Sequence, residues 1–341
     1  MDLQAAIRQV IARDDLSDAQ MTAVMQQIMT GEASPAQIGG FLVGLAMKGE
    51  SVTEIAAAAR VMRRLALRVE VEPTHLVDTC GTGGDARGTF NISTASAFVV
   101  AEAGGRVAKH GNRSVSSASG SADLLEHAGA RLDLSAEAVA QSIEAVGIGF
   151  IFAPQHHQAM RHAIGPRKEM GVRTLFNLLG PLTNPAGAPN QLLGVYAHAW
   201  VRPIAEVLQT LGSERVLVVH SDDGLDEISI AAPTAVAELR DGEVKTYSIA
   251  PEDFGMQRSA LDSLRVDSAQ QSLEMIQAIF DGLPGPGTDL LALNAGAAIY
   301  VAGLTATLAE GVSQAQALLA SGAVRARLAA FVATTQRLGG Q

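Results

Sequence analysis

Hydrophobic positions along this 341-residue chain follow two periods, and the change falls near residue 70. In the first part apolar residues recur at helical spacing. Leu3 to Ala12 reads as one helix. A second starts at Ser17, carries Met21, Val24, Met25 and Ile28 on one face, and ends at Gly31. Ser34-Pro35 opens a third, with proline at a favourable first-turn position, and Lys48-Gly49 closes it. Ser51-Val52-Thr53-Glu54 is a capping box for a fourth helix that ends near Leu67. Ile38, Phe41, Leu42 and Leu45 form an apolar face larger than a small bundle needs. It reads either as the bundle's own core or as a dimer face.

From Thr74 onward short apolar runs alternate with helical stretches. The expected strands are His75–Asp78, Gly105–Ala108, Gly149–Phe152, Gln191–Tyr196, Arg215–His220, Ala235–Leu239 and Val244–Ser248. Helices are expected at Thr94–Ala103, Ala122–His127, Ala136–Val146 and Pro203–Leu211, and near Ser272–Phe280, Asp289–Val301 and Thr305–Leu319. Asp241-Gly242 predicts a hairpin turn between Glu238 and Lys245. The pattern predicts an α/β protein. A small N-terminal helical domain over residues 1–70 precedes a larger domain over 71–341, with a mainly parallel central sheet flanked by helices.

Three polar clusters interrupt this pattern where strands should end. In the first, Asp78-Thr79-Cys80 precedes Gly81, Gly83, Gly84 and Asp85, and Asn91-Ile92-Ser93-Thr94 opens an apolar helix. A strand, a glycine turn and a helix N-terminus together make an anion site, because inward-turned backbone N–H groups meet unsatisfied helix donors. Gly81, Gly83 and Ala86 also fit a dinucleotide fingerprint. That reading needs an acidic residue after the next strand, where this chain has Lys109-His110.

The second cluster runs Lys109-His110-Gly111-Asn112-Arg113-Ser114-Val115-Ser116-Ser117 and continues into Ser119-Gly120-Ser121. Basic side chains beside glycine and hydroxyls suit a second phosphate, and a solvated polar loop is the alternative. The third, Ser221-Asp222-Asp223-Gly224-Leu225-Asp226-Glu227, follows an apolar strand. Its carboxylates suit Mg²⁺, which prefers hard oxygen ligands, and an acidic surface turn is the alternative. Asp85, Asp226 and Glu227 are the expected metal set, and no Cys/His spacing suggests zinc.

Composition narrows the function classes. Hydrophobic residues make up 48% and aromatics 4%, so the core is aliphatic. The chain holds 25 basic and 35 acidic residues, a net charge of −10, which argues against general nucleic-acid affinity. The basic residues near 106–113 and 161–173 therefore read as a local anion pocket. The single Cys80 forms no internal disulfide and reads as small buried filler, which suits a reducing cytoplasm. Neither a signal peptide nor a membrane span is expected.

The ordered motifs Val77-Asp78, Gly81 to Asp85, Asn91 to Thr94, Lys109 to Ser117, Ser119 to Asp123, Arg173 to Pro185 and Gly224 to Glu227 resemble the anthranilate phosphoribosyltransferases over nearly the whole chain. The resemblance implies transfer of a 5-phosphoribosyl group from phosphoribosyl pyrophosphate (PRPP) to the amine of anthranilate, on the route from chorismate to tryptophan. It implies that Gly81, Gly84, Asp85, Thr89, Asn91, Ser93, Thr94, Lys109, Ser117 and Ser121 contact PRPP. Gly81, Asn112, His157 and Arg167 would contact anthranilate, with His110 beside its channel as a catalytic candidate. Ser93, Asp226 and Glu227 would hold Mg²⁺, as two ions. A homodimer through the N-terminal helices and a segment near 165–190 that returns to the helical domain are also implied.

Two positions depart from the family. Gln158 stands where proline is frequent, and His156 where tyrosine is common. His156 reads as structural. Two competing functions remain at this point. One is a pyrimidine nucleoside phosphorylase, with a related glycine loop but without the Asp226-Glu227 pair. The other is a ligand-sensing or scaffold protein that keeps the pocket without turnover.

Overall fold

A computed structural model describes residues 1–85, 87–114 and 119–340. Ala86 and Ser117, both singled out in the sequence, lie outside the described residues. Four helices come first: α1 (Leu3–Ile11), α2 (Asp18–Thr30), α3 (Pro35–Lys48) and α4 (Val52–Leu65). Their starts follow from side-chain chemistry. Ser17 with Gln20, Ser34 with Gln37 and Ser51 with Glu54 each form a reciprocal capping box. Such a cap stabilises a helix by about 0.5–2 kcal/mol.

The remaining helices are α5 (Ile92–Glu102), α6 (Ser121–His127), α7 (Ala136–Val146), α8 (Ala153–His156), α9 (Arg161–Met170), α10 (Leu175–Leu179), α11 (Val201–Thr210), α12 (Ala269–Phe280), α13 (Pro286–Val301), α14 (Leu308–Ser321) and α15 (Ala323–Gly339). The strands are β1 (Leu76–Gly81), β2 (Arg106–Gly111), β3 (Ile148–Phe152), β4 (Asn190–Gly194), β5 (Arg215–Ser221), β6 (Thr234–Arg240) and β7 (Glu243–Ile249). They form one sheet in the order β3-β2-β1-β4-β5-β6-β7. Pairs from β3 through β5 are parallel, and β6 and β7 join antiparallel. This is the expected mainly parallel sheet. Among the described residues no single helix is long and apolar enough to cross a membrane.

The sheet is covered on both faces, as parallel strands require. On β5, Leu217 and Val219 join a core built with α5 and α12 to α15, while Val216 and Val218 join a second core built with α1 to α4 and α11. Leu175, Phe176, Leu178, Leu179 and Leu182 enter that second core, and Arg63 Nε donates to the Leu182 carbonyl at 2.7 Å. The segment around α10 therefore packs with the N-terminal helices.

The structure corrects several expectations. Ile38, Phe41, Leu42 and Leu45 are buried at 0–1% exposure within the helical core, so they are not an exposed face. Close approach of α1 to α3 accounts for this: a Cβ on Gly44 would lie 2.9 Å from Val10 Cγ2. β1 runs on through Thr79-Cys80-Gly81, and β2 through Lys109-His110-Gly111. Ladder pairing with β4 and β3 carries polar residues into the strands. The helices α9, α10 and α15 were not expected from the sequence pattern.

Candidate functional site

The strand order reverses between β1 and β4, because the chain builds outward to β3 and then returns to the far side of β1. Ligand sites of open α/β sheets lie at such a switch point, outside the carboxyl ends of the strands. Here Gly81 of β1 pairs with Gly194 of β4. Gly194 admits no side chain, and Gly81 is tightly approached. A Cβ on Gly81 would lie 3.0 Å from Asp226 Oδ2, and one on Gly194 would strike the Asp226 backbone. The acidic turn after β5 thus packs directly over the switch point.

Asp226 also holds the glycine loop, since the Gly83 N–H donates to its Oδ2 at 2.9 Å. The turn itself is fixed from behind. Asn294 on α13, fully buried, donates to the Ile228 carbonyl and accepts its N–H, each at 2.9 Å. Asp223 accepts from Leu225 N–H at 3.1 Å and from the Ser229 hydroxyl at 2.7 Å, so it caps the turn. Asp226 and Glu227 are left to face the loop.

Burial and then the neighbouring Asp85 charge push Asp226 up to about 7. Burial and then Asp226 raise Glu227 well above the usual carboxylate range. Carboxylates crowded in this way repel one another, and a nearby cation would favour their charged forms. Among the described residues no group of three or more His, Cys, Asp or Glu side chains forms a metal cage, so the expected Asp85, Asp226 and Glu227 set is not a closed site. An open carboxylate pair suits Mg²⁺, which takes one or two protein carboxylates and completes its shell with water and substrate phosphate.

Lys109 lies on β2 with 2% exposure. Its Nζ donates to the Thr79 carbonyl at 2.5 Å and to Ser93 Oγ at 3.4 Å. Burial pulls the ammonium down, while Asp78, Cys80 and Glu227 favour its charge. Ser93 sits in the first turn of α5, and its backbone N–H and the Lys109 charge partly offset the upward push on Glu227. The helix start, the lysine and the acidic pair therefore converge. Asp78 beneath them is fully buried, with burial raising it to about 6. It accepts from His110 N–H at 3.2 Å and from Asn184 Nδ2 at 2.8 Å. Cys80 is buried, its Sγ accepts from Gln191 Nε2 at 2.9 Å, and burial pushes the thiol up. This is the packing role expected of it.

The other PRPP candidates among the described residues lie on the glycine loop and around the starts of α5 and α6. Asp85 Oδ1 accepts from Arg87 N–H at 3.2 Å, and Thr89 forms an isolated bridge with Arg265. Asn91 precedes α5 and donates to the Ser119 carbonyl at 3.0 Å, joining the two loops. Thr94 is buried, with no hydrogen-bond partner for its hydroxyl. Ser121 begins α6, and its Oγ donates to the Asn112 carbonyl at 3.3 Å. Arg113 is a correction to the proposed anion cluster. Its guanidinium forks onto Glu126, with Nη2 to Oε1 at 2.7 Å, and lies over the Phe152 ring.

Next to Lys109 lies a pair of histidines. The ring centroids of His110 and His157 are 5.0 Å apart, and both residues are 8% exposed. Burial and then the His157 ring hold His110 well below the usual histidine range, and burial brings His157 down to about 4. Nε2 of each is buried with no hydrogen-bond partner. Both are neutral imidazoles at pH 7 with an unused ring nitrogen. Asn112 is exposed at the end of β2. Arg167 on α9 lies over the Phe176 ring at 5.1 Å, and no carboxylate pairs with it among the described residues.

Arg173 received no role from the sequence. Its Nη2 donates to the Gly84 carbonyl at 2.6 Å, and its guanidinium lies 4.2 Å from the Tyr196 ring centroid. Tyr196 N–H in turn donates to Thr82 Oγ1 at 2.9 Å. These contacts brace the glycine loop from outside. No local pattern announces them, because the partners are 89 and 114 positions apart.

Two family models match the chain: the glycosyl transferase family helical bundle domain over residues 4–66, and the α/β domain of the same family over residues 73–325. An anthranilate phosphoribosyltransferase of Thioalkalivibrio sulfidiphilus is 67% identical over 335 residues, covering 98% of this chain and 99% of that protein. The chain belongs to the anthranilate phosphoribosyltransferase family. Within that family the Alkalilimnicola ehrlichii protein is 63% identical, over 99% of this chain and 100% of its own length. The crystal structure of the anthranilate phosphoribosyltransferase from Thermus thermophilus is 44% identical, with a TM-score of 0.92 over 97% of this chain and 99% of that one. The Saccharomyces cerevisiae anthranilate phosphoribosyltransferase in complex with PRPP and Mg shares the fold, with a TM-score of 0.89 at 24% identity over 98% of each chain.

Proposed function

We propose that the switch-point cleft binds PRPP with Mg²⁺, and that the histidine pair presents anthranilate to its anomeric carbon. The chain transfers the 5-phosphoribosyl group to the anthranilate amine, giving N-(5-phosphoribosyl)anthranilate and pyrophosphate, on the route to tryptophan. The observation that carries this reading is the convergence of three elements at one point: the glycine loop held by Asp226, the start of α5 at Ser93, and the buried Lys109 that bonds Ser93 and feels the Glu227 charge.

Gly81, Gly84, Asp85, Thr89, Asn91, Ser93, Thr94, Lys109, Ser117 and Ser121 are the proposed PRPP contacts. Asp226 and Glu227, with the Ser93 hydroxyl, supply hard oxygen donors where their own repulsion calls for a cation. Mg²⁺ bound there supplies charge neutralisation for the leaving pyrophosphate, as one ion or two. Lys109 and the N–H groups of the glycine loop add preorganised donors on the same side. The acceptor amine is neutral at pH 7 and needs no prior activation. Arg167, without an acidic partner, pairs with the anthranilate carboxylate. Asn112, His157 and Gly81 line the same acceptor.

After attack the nitrogen carries positive charge and is a strong acid, so a weak base suffices to take its proton. His110, neutral and with Nε2 unpartnered, is that base. Holding both substrates in register contributes further, up to roughly 7–11 kcal/mol in ideal cases. The two competing functions fit less well. A phosphorylase has no use for the Asp226-Glu227 pair, and a pure scaffold has no use for the neutral histidine dyad.

Two coarser properties complete the proposal. Ile11, Val43 and Met47, at 69%, 40% and 71% exposure, lie on the packed pair α1 and α3 and supply an apolar face for a homodimer. A single reduced Cys80 suits a cytoplasmic setting. The activity is tested by mixing protein, anthranilate, PRPP and Mg²⁺ and following loss of anthranilate fluorescence. Turnover is expected. No turnover, with thymidine cleavage by phosphate instead, would reverse the assignment.

A further inference from the structure

Residues 67–72 connect the stretches matched by the two family models, so they form the crossover between the helical and α/β parts. Two hydrogen bonds clasp the start of this crossover to one residue. Leu67 N–H donates to the His156 carbonyl at 2.9 Å, and His156 Nδ1 lies 2.8 Å from the Leu67 carbonyl. A carbonyl only accepts, so Nδ1 carries the proton. The Leu67 side chain is 53% exposed. Burial therefore does little to hold Leu67, and the clasp holds it through both backbone groups. The next anchor is Val69, whose N–H donates to the Pro185 carbonyl at 3.2 Å.

His156 is itself 1% exposed and is the last residue of α8. His157 follows as the helix cap with φ −115° and ψ 56°. That bend sends successive side chains to different partners. His156 bonds the crossover, and His157 stacks at 5.0 Å from His110.

We propose that His156 is a positioning residue for the aromatic-acid pocket: by clasping the interdomain crossover to α8 it fixes His157 opposite His110. This rests on the reading that His110 and His157 flank the acceptor substrate. The clasp is part-buried, with His156 itself fully enclosed, so losing its Nδ1–H removes the side-chain tie from α8 to the crossover and lets α8 shift.

His156→Phe keeps a ring but removes the donor. His156→Asn places a side-chain N–H where Nδ1–H stands. The Phe variant is expected to raise the anthranilate KM about tenfold, with kcat and PRPP KM changed less than about twofold, and the Asn variant to restore most of the loss. An unchanged anthranilate KM, an equal rise for both substrates, or an Asn variant that behaves like Phe overturns the proposal. Hydrogen exchange of the unmodified protein tests the clasp whatever the variants' stability: slow exchange of the Leu67 amide is expected, and exchange at the rate of an open loop overturns it. The unmodified chain is assayed alongside. Its failure to turn over anthranilate would remove the activity itself, whereas normal turnover with an unmoved variant KM removes only the role of His156.

Discussion

The backbone N–H of Gly83 donates to Asp226 Oδ2 across 143 positions of sequence, at 2.9 Å. One hydrogen bond thus ties the glycine loop to the acidic turn. Any change at one reaches the other, and this linkage sets the first two predictions.

The double variant Asp226→Asn, Glu227→Gln is expected to lower kcat/KM by roughly 10³-fold or more. Its melting temperature should stay level or rise, because two carboxylates whose charged forms are disfavoured first by burial are gone. Chelation with EDTA should bring the unmodified protein's rate down towards the variant's and leave the variant unchanged. A variant that still loses activity on chelation would place the metal elsewhere.

Gly81→Ala puts a methyl group 3.0 Å from Asp226 Oδ2 and 3.4 Å from the Gly194 carbonyl. Asp226 must yield. A stability loss on the order of 1 kcal/mol by denaturant titration is expected, with a PRPP KM raised about tenfold. Unaltered PRPP kinetics would show that the spacing between strand end and acidic turn is not functional.

Arg167→Ala should raise the anthranilate KM about tenfold and the PRPP KM far less. Loss of the contact with Phe176 should remove about 0.5–1 kcal/mol of stability. Arg167→Lys is expected to fail as a rescue, because a planar fork pairs with a carboxylate where a point charge does so weakly. Steady-state kinetics varying each substrate in turn decides this, and equal effects on both substrates contradict the assignment.

His157 is held down to about 4 from 6.5 by burial. Between those values the unfolded chain binds more protons than the folded one. The stability supplied by the neutral ring is therefore full above pH 6.5 and is lost as pH falls towards 4. His157→Gln lacks this loss. The stability of the unmodified protein relative to the variant should drop by on the order of 2–3 kcal/mol from pH 7 to pH 4. A constant difference across that range contradicts a buried neutral His157.

Much of the fold is legible in local chemistry. Ser17, Ser34 and Ser51 announce three helix starts that the structure caps as expected. Asp241-Gly242 announces a hairpin, and the two residues adopt φ 53° and 77°, the paired left-handed turn that strand twist favours. The strand ends are less legible. Thr79, Lys109 and His110 look like loop chemistry, yet pairing with β4 and β3 holds them in strands. Pro166 hides α9, since proline inside a pattern reads as a break.

The site divides the same way. Lys109, Asp226 and Glu227 stand out because charge beside glycine after an apolar strand is a local signal. Arg173 on the Gly84 carbonyl and Asn294 on Ile228 are tertiary pairs without any such signal. Ile38, Phe41, Leu42 and Leu45 show the limit of composition alone. A wide apolar face does not reveal whether its cover is the same chain or another copy, and here the same chain covers it.

The central claim is that one cleft, at the reversal of strand order, holds both the phosphates and the metal of PRPP. A crystal soaked with PRPP and Mn²⁺ tests it most directly through anomalous density. The account predicts a manganese peak beside Asp226 and Glu227, with the diphosphate reaching the glycine loop and Lys109. A fully occupied PRPP whose metal and phosphates lie away from that loop would contradict it.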